Sequence, residues 1–141
     1  MKRPAPATIV REVSWERLKS PRLSKKQPTV DDVESLINSL TESDPGTVIV
    51  TVANRNTLTV KGDSSQGFLV RLASESKQLY ALAEPELQRG MAVLFIGSQR
   101  EVFPRRLLVD RVTAVKAARG FYQRGLADEG VNWTADSKSV R

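Results

Sequence analysis

Between residues 47 and 83, four segments rich in Val, Ile, Leu and Thr follow one another across connections of only a few residues. Parallel strands need a long crossover, so connections this short make successive strands run antiparallel. Residues 47–52 are dense in β-branched side chains, which suit extended backbone. Asn54-Arg55-Asn56 supplies a tight turn, because Asn tolerates the left-handed backbone that short hairpins require. Residues 57–61 alternate, with Leu58 and Val60 on one face and Thr57, Thr59 and Lys61 on the other. Gly62-Asp63-Ser64-Ser65 turns the chain into a strand marked by Phe68, Val70 and Leu72. A strand over 79–83 and an apolar run over 91–96, expected to be the most buried, extend the meander. A short polar loop carrying Phe103-Pro104 is expected after Gly97.

Two helices flank these strands. Thr29 and Asp32 have the spacing of a capping box, in which hydroxyl and carboxylate satisfy unpaired amides of the first turn. Val33, Leu36, Ile37 and Leu40 then fall on one apolar face, and Asp44-Pro45-Gly46 stops the helix. The second helix is expected over 110–124, capped by Asp110 and closed by Gly125. Its expected apolar stripe is Leu108, Val112, Val115, Ala118 and Tyr122, with Phe121 alongside. Gly120 inside a helix costs about 1 kcal/mol relative to Ala, which points to close packing at that position. The pattern predicts an α+β domain, an antiparallel meander of about five or six strands packed against two helices.

The excess charge is concentrated at the N-terminus. Residues 1–28 hold eight basic groups and two acidic ones, which accounts for the whole formal net charge of +6. The sequence therefore divides into a basic N-terminal segment, 1–28, and a single α+β domain, 29–141. Within the segment, residues 7–13 have the composition of an edge strand, and residues 15–23 are expected to form a short turn of helix on the core. The remainder reads as a flexible, solvated arm. Only Trp15 interleaves with the basic groups, whereas a stacking platform for nucleic-acid bases wants more aromatics.

Composition also narrows the chemistry. With no His and no Cys in 141 residues, the chain lacks the usual proton shuttle, thiolate nucleophiles and the two commonest zinc ligand types. It carries no phosphate-binding glycine loop, no nucleophile elbow and no carboxylate run at calcium-loop spacing. The expectation is a protein that is not an enzyme, has no metal, no cofactor and no small-molecule substrate, and works through its surface. No apolar run has the length of a membrane span, and the basic start is not followed by an apolar stretch, so a cytoplasmic protein without membrane contact is expected.

The order of these features resembles a known family. A Thr29-capped helix and small meander precede Phe95-x-Gly97, Phe103-Pro104 and Leu108-Val109. An Ala-rich helix with Phe121 and a Val131-x-Trp133 ending follow. This pattern, over about residues 29–135, is similar to immunity proteins of bacterial polymorphic-toxin systems, in the family that includes inhibitors of double-stranded-DNA deaminase toxins. The resemblance implies a cytoplasmic, non-enzymatic protein that binds a cognate toxin domain and blocks its active site, the toxin being a nucleic-acid deaminase. Phe103, Pro104, Phe121 and Trp133 match recurring positions of the family, and large apolar groups near loop ends are read here as seals of the core.

Meander geometry adds a candidate partner-binding site. Successive connections alternate between the ends of the sheet, so Glu42, Asp44, Asp63, Glu84 and Glu86 are expected at one end. The other end is expected to collect Arg55, Lys77, Arg100 and Arg105 against Glu75 and Glu101. A toxin that acts on nucleic acid presents a basic cleft, and an acidic rim meets that cleft in place of phosphates. The alternative function is a small nucleic-acid-binding or regulatory protein using residues 1–28. The immunity reading itself expects no direct nucleic-acid binding.

Overall fold

A computed structural model describes residues 10–17, 20–41, 43–52, 56–74, 77–81, 91–96, 99–128 and 130–135. Its main sheet contains β1 (Val10–Arg17), β2 (Ser20–Lys26), β3 (Gly46–Val52), β4 (Thr57–Asp63), β5 (Gly67–Ala73) and β6 (Gln78–Ala81). Two short strands, β9 (Leu108–Val109) and β10 (Trp133–Thr134), complete it, in the order β10-β6-β5-β4-β3-β1-β2 with β9 on β5. All the described pairings are antiparallel. Strand β6 pairs with residues 71–73 of β5, and β9 takes the rest of that edge at Phe68 and Leu69. The expected α+β meander on two helices is present, with more strands than the sequence suggested.

The first helix, α1 (Val30–Asn38), starts as its sequence requires. The Asp32 N–H donates to Thr29 Oγ1 at 3.1 Å, and the Thr29 N–H donates to Asp32 Oδ2 at 2.9 Å. Val33, Ile37 and Leu40 are fully buried and Leu36 packs at the margin of the core. The second helix, α2 (Arg111–Arg124), is capped by Asp110, whose Oδ1 accepts from the Thr113 N–H at 2.8 Å. It ends on Gly125 at φ 72°, a left-handed position that glycine adopts without steric cost.

The buried face of α2 differs from the expected stripe. Ala114, Ala117, Ala118 and Phe121 are buried, Val115 and Tyr122 flank them, and Val112 is 76% exposed. Small side chains let the helix axis come close to the sheet and to α1, so proximity selects the alanine face over the bulkier one. Between the helices Arg119 pairs with Glu34 at 2.6 Å, and the Tyr122 hydroxyl donates to the Pro28 carbonyl at 2.9 Å.

Both faces of the sheet are covered. Val48, Val50, Val52, Leu58, Val60, Val70 and Leu72 belong to the core beneath the helices. On the opposite face, Leu69 joins Ala92, Leu107 and Leu108, with Phe103 and Tyr80 packed against them. This second cluster seats a separate two-stranded hairpin, β7 (Met91–Ile96) and β8 (Gln99–Pro104), which among the described residues pair only with each other. The 91–96 run is therefore not the most buried strand of the main sheet, and Met91 at its start is 55% exposed. The expected polar loop around Phe103-Pro104 is instead the second strand of that hairpin. An isolated hairpin is marginal in water, and packing on Leu69, Leu107 and Leu108 supplies what backbone pairing alone lacks.

The N-terminal strands correct two further expectations. β1 lies between β2 and β3 and so is interior, while β2 forms the edge. Residues 15–23 are extended where described, not helical. A register shift between Val10 and Glu12 places Val10 and Val13 in the same core although they are three residues apart. That bulge breaks the period-two signal by which a strand is read from sequence. Residues 1–9 lie outside the described residues.

Candidate functional site

The end of the sheet where β3 starts carries the described acidic candidates. Gly46 pairs with both Arg17 and Gly62, and Asp63 pairs with Gly67, so Arg17, Asp44 and Asp63 share one end as meander geometry requires. Their carboxylates are differently engaged. Asp63 is only 5% exposed, and its Oδ1 accepts from the Ser65 N–H at 2.7 Å, the Ser65 hydroxyl at 2.8 Å and the Gln66 N–H at 2.9 Å. It thus closes the β4–β5 turn, with Gly62 at φ 134° and Gly67 at φ 106° on either side. Gly62 has backbone in place of a side-chain site, since an added Cβ would lie against the Gly67 carbonyl. Asp44 is half-buried and pairs with Arg17 at 3.4 Å. Arg17 also donates to the Ser39 hydroxyl. Glu42, Glu84 and Glu86 lie outside the described residues.

Beside this end, a shallow groove of about 460 Å³ separates the Ser64–Gln66 turn from the start of α2. Asp110 and Arg111 line its far side, with the Asp110 carboxylate already capping its own helix. The basic residues expected at the opposite end do not stay together. Lys77 is exposed next to β6, whereas Arg100 and Arg105 belong to the hairpin and the turn that leaves it. Arg105 leads within three residues to Leu108, which pairs with Leu69 near the Asp63 end. Arg55 and Glu75 lie outside the described residues.

Hairpin register defines a second surface that the sequence reading did not single out. Paired residues of an antiparallel ladder share a face. Ala92 pairs with Phe103, and both face the sheet. Glu101, on that same side, reaches Lys61 of β4 at 3.5 Å, and the Lys61 ammonium stands 5.6 Å from the centre of the Phe103 ring. The opposite, outward face holds Met91 with Pro104, and Val93 with Val102. Met91 and Val102 are 55% and 50% exposed. The signal was hidden because Val102 and Phe103 are adjacent apolar residues, which disguises alternation.

Reactive chemistry is sparse at both places. Among the described residues no group of three or more carboxylates, histidines or cysteines converges to hold a metal ion. One carboxyl is held below the usual Asp value of 3.8: Asp32, through the Thr29 backbone N–H and then Lys25 at 3.0 Å. That group serves a helix cap rather than a reaction. No described helix is long and apolar enough to cross a membrane.

Comparison with known families decides what kind of surface this is. The family model described as Immunity protein Imm1 matches residues 26–135. The chain belongs to the Imm1 immunity proteins. No curated protein matches it. The matched span starts at the last residue of β2 and runs past β10. It includes both helices and the hairpin and leaves β1 and most of β2 outside. The resemblance drawn from Thr29, Phe103-Pro104, Phe121 and Val131-x-Trp133 is thereby borne out. Phe121 is fully buried, and Phe103 and Trp133 pack against the two cores. An Imm1 immunity protein has a toxin as its partner, so the surfaces above are to be judged as places where another protein docks.

Proposed function

We propose that this Imm1 protein neutralises its toxin by binding alone, without catalysis of its own, and that the toxin is a nucleic-acid deaminase whose active site the bound chain blocks in the bacterial cytoplasm. The family match over residues 26–135 carries the immunity reading. The deaminase assignment rests on the likeness of the 29–135 pattern to inhibitors of such toxins. The half-buried Asp44, at the end of the sheet where β3 starts and with Glu42 two residues before it in sequence, is the carboxylate that supports it. An enzyme acting on nucleic acid holds a basic cleft, and a carboxylate rim steers such a partner. The test is to read the gene immediately upstream for a toxin domain and to co-express that domain with this chain. Growth restored only when the chain is present, with deaminated bases disappearing from cellular DNA, is the expected result. Toxicity undiminished by the chain removes the immunity reading, and a toxin that leaves no deaminated bases in cellular DNA when expressed without the chain removes the deaminase assignment.

A second reading draws on strand β2, where Arg22 and Lys26 are exposed and lack ion pairs among the described residues. A nucleic-acid contact there shows as affinity for bare DNA that falls steeply as salt rises. Salt-insensitive or absent DNA affinity eliminates it.

A further inference from the structure

We infer that the outward face of the β7–β8 hairpin is the apolar centre of the toxin contact, and that it takes a toxin surface of apolar side chains bordered by carboxylates. The inference rests on the immunity reading and adds the place and chemistry of docking. Five large apolar side chains are substantially exposed among the described residues: Leu23, Met91, Val102, Val112 and Leu126. Three are scattered singly over β2, α2 and the segment after α2, which is ordinary for a protein surface. Met91 and Val102 instead share one hairpin face, joined by Val93 and Pro104 through the register Met91–Pro104 and Val93–Val102. A contiguous apolar patch is the feature that marks an interaction surface.

Its partner chemistry follows from the flanking charges. Arg100 lies on the same outward face, and Arg105 follows Pro104; both are exposed. Neither makes an ion pair among the described residues. The hairpin's acidic residue, Glu101, points inward and is occupied by Lys61. The face therefore offers apolar contact and unpaired guanidinium groups, with no described carboxylate in its register. Met and Arg are enriched at protein interfaces, and Arg engages carboxylates in paired hydrogen bonds. A second copy of this chain fits poorly, because self-docking brings Arg100 and Arg105 toward their own equivalents. The inward face, fixed by Ala92, Phe103 and the Lys61–Glu101 pair, holds the outward face in one orientation before the toxin arrives.

The test uses the full chain and the purified toxin domain encoded beside its gene, made inactive by substitution. Met91→Glu with Val102→Glu is expected to weaken binding by about 100-fold or more, as for residues at an interface centre. Val112→Glu, at an exposed site on α2, is expected to leave binding within about threefold of wild type, as for a surface residue outside the contact. Because the chain has no cysteine, Val102→Cys offers a single labelling site that does not depend on the glutamate variants folding. Its thiol is expected to react with maleimide in the free protein and to be protected in the complex, while Leu126→Cys stays reactive. Arg100→Glu with Arg105→Glu is expected to slow association at low salt, with the difference shrinking as salt rises. Wild-type affinity in the Met91/Val102 variant, or a Val102→Cys thiol that labels equally in the complex, overturns this surface and leaves the immunity reading intact. A wild-type dimer that Val102→Glu dissociates overturns it in favour of self-association. Failure of the wild-type chain to bind the toxin overturns both.

Discussion

Lys61 of the central strand β4 and Glu101 of the hairpin meet at 3.5 Å, joining two layers of the protein through a half-buried ion pair. The same ammonium stands over the Phe103 ring. Exposed ion pairs contribute little, and partial burial with a ring beneath raises the value only modestly. A double-mutant cycle of Lys61→Ala and Glu101→Ala is expected to give a coupling of about 0.5–1 kcal/mol in urea unfolding, smaller in high salt. A coupling of zero would mean that apolar packing alone seats the hairpin.

Gly120 is the next site to test. An exposed helix interior gains about 1 kcal/mol when Gly becomes Ala. Here an added Cβ would stand 2.8 Å from the Asp128 Cβ, closer than side chains tolerate. Asp128 cannot easily withdraw, since its carboxylate accepts from the Gly130 N–H at 2.6 Å and its carbonyl from the Trp133 indole at 2.9 Å. Gly120→Ala is expected to destabilise by about 1–3 kcal/mol, the cost of overpacking. Asp128→Gly in the same chain is expected to recover part of that loss, as read from the midpoints of thermal unfolding.

Asp63 separates structure from docking. Removing its carboxylate leaves two N–H groups and a hydroxyl without their acceptor, so Asp63→Ala is expected to cost about 1–3 kcal/mol. Asp63→Asn keeps an accepting oxygen and is expected to cost less. Charge reversal at Asp44 with Asp63 left intact is therefore the cleaner probe of the acidic end. A lower on-rate that shrinks as salt rises, beside a melting temperature lowered by loss of the Arg17 pair, is the outcome expected if that end steers the toxin.

The acid range reports on Asp32. Its carboxyl is lowered by the Thr29 backbone N–H first and by Lys25 next, so the folded state favours the charged form. The stabilisation is present in full above the ordinary Asp value of 3.8 and is lost as pH falls through the lower folded value. Asp32→Asn is expected to melt below wild type at neutral pH, with the gap closing as pH drops below 3.8. A gap that is constant with pH would show that the charge contributes nothing.

Where local chemistry decides structure, the residues spoke plainly. Thr29 and Asp32 cap α1 because their spacing leaves few other uses for two such groups, and the short connections from 47 to 73 made the meander antiparallel. Long-range competition was harder to read. The α2 face was misassigned at Val112 because alanines permit closer approach than valines. A bulge at Val10–Glu12 concealed an interior strand. β7 and β8 stand apart from the main sheet, where β10 takes the outer edge of β6 and β9 the rest of the β5 edge. At the candidate site, Asp44 and Asp63 share one end of the sheet as the meander predicts, but the engagement of Asp63 in its own turn depends on a backbone that only the folded chain displays. The outward hairpin face depends on a pairing register that adjacent apolar residues masked.

The central claim is that this chain stops a toxin by stoichiometric binding. Titrating the purified chain into the active toxin domain, with the base deamination proposed for that toxin as the readout, tests it most directly. Activity is expected to fall in proportion to added chain and to reach zero at one equivalent. Deamination that continues unchanged in the presence of excess chain contradicts the account.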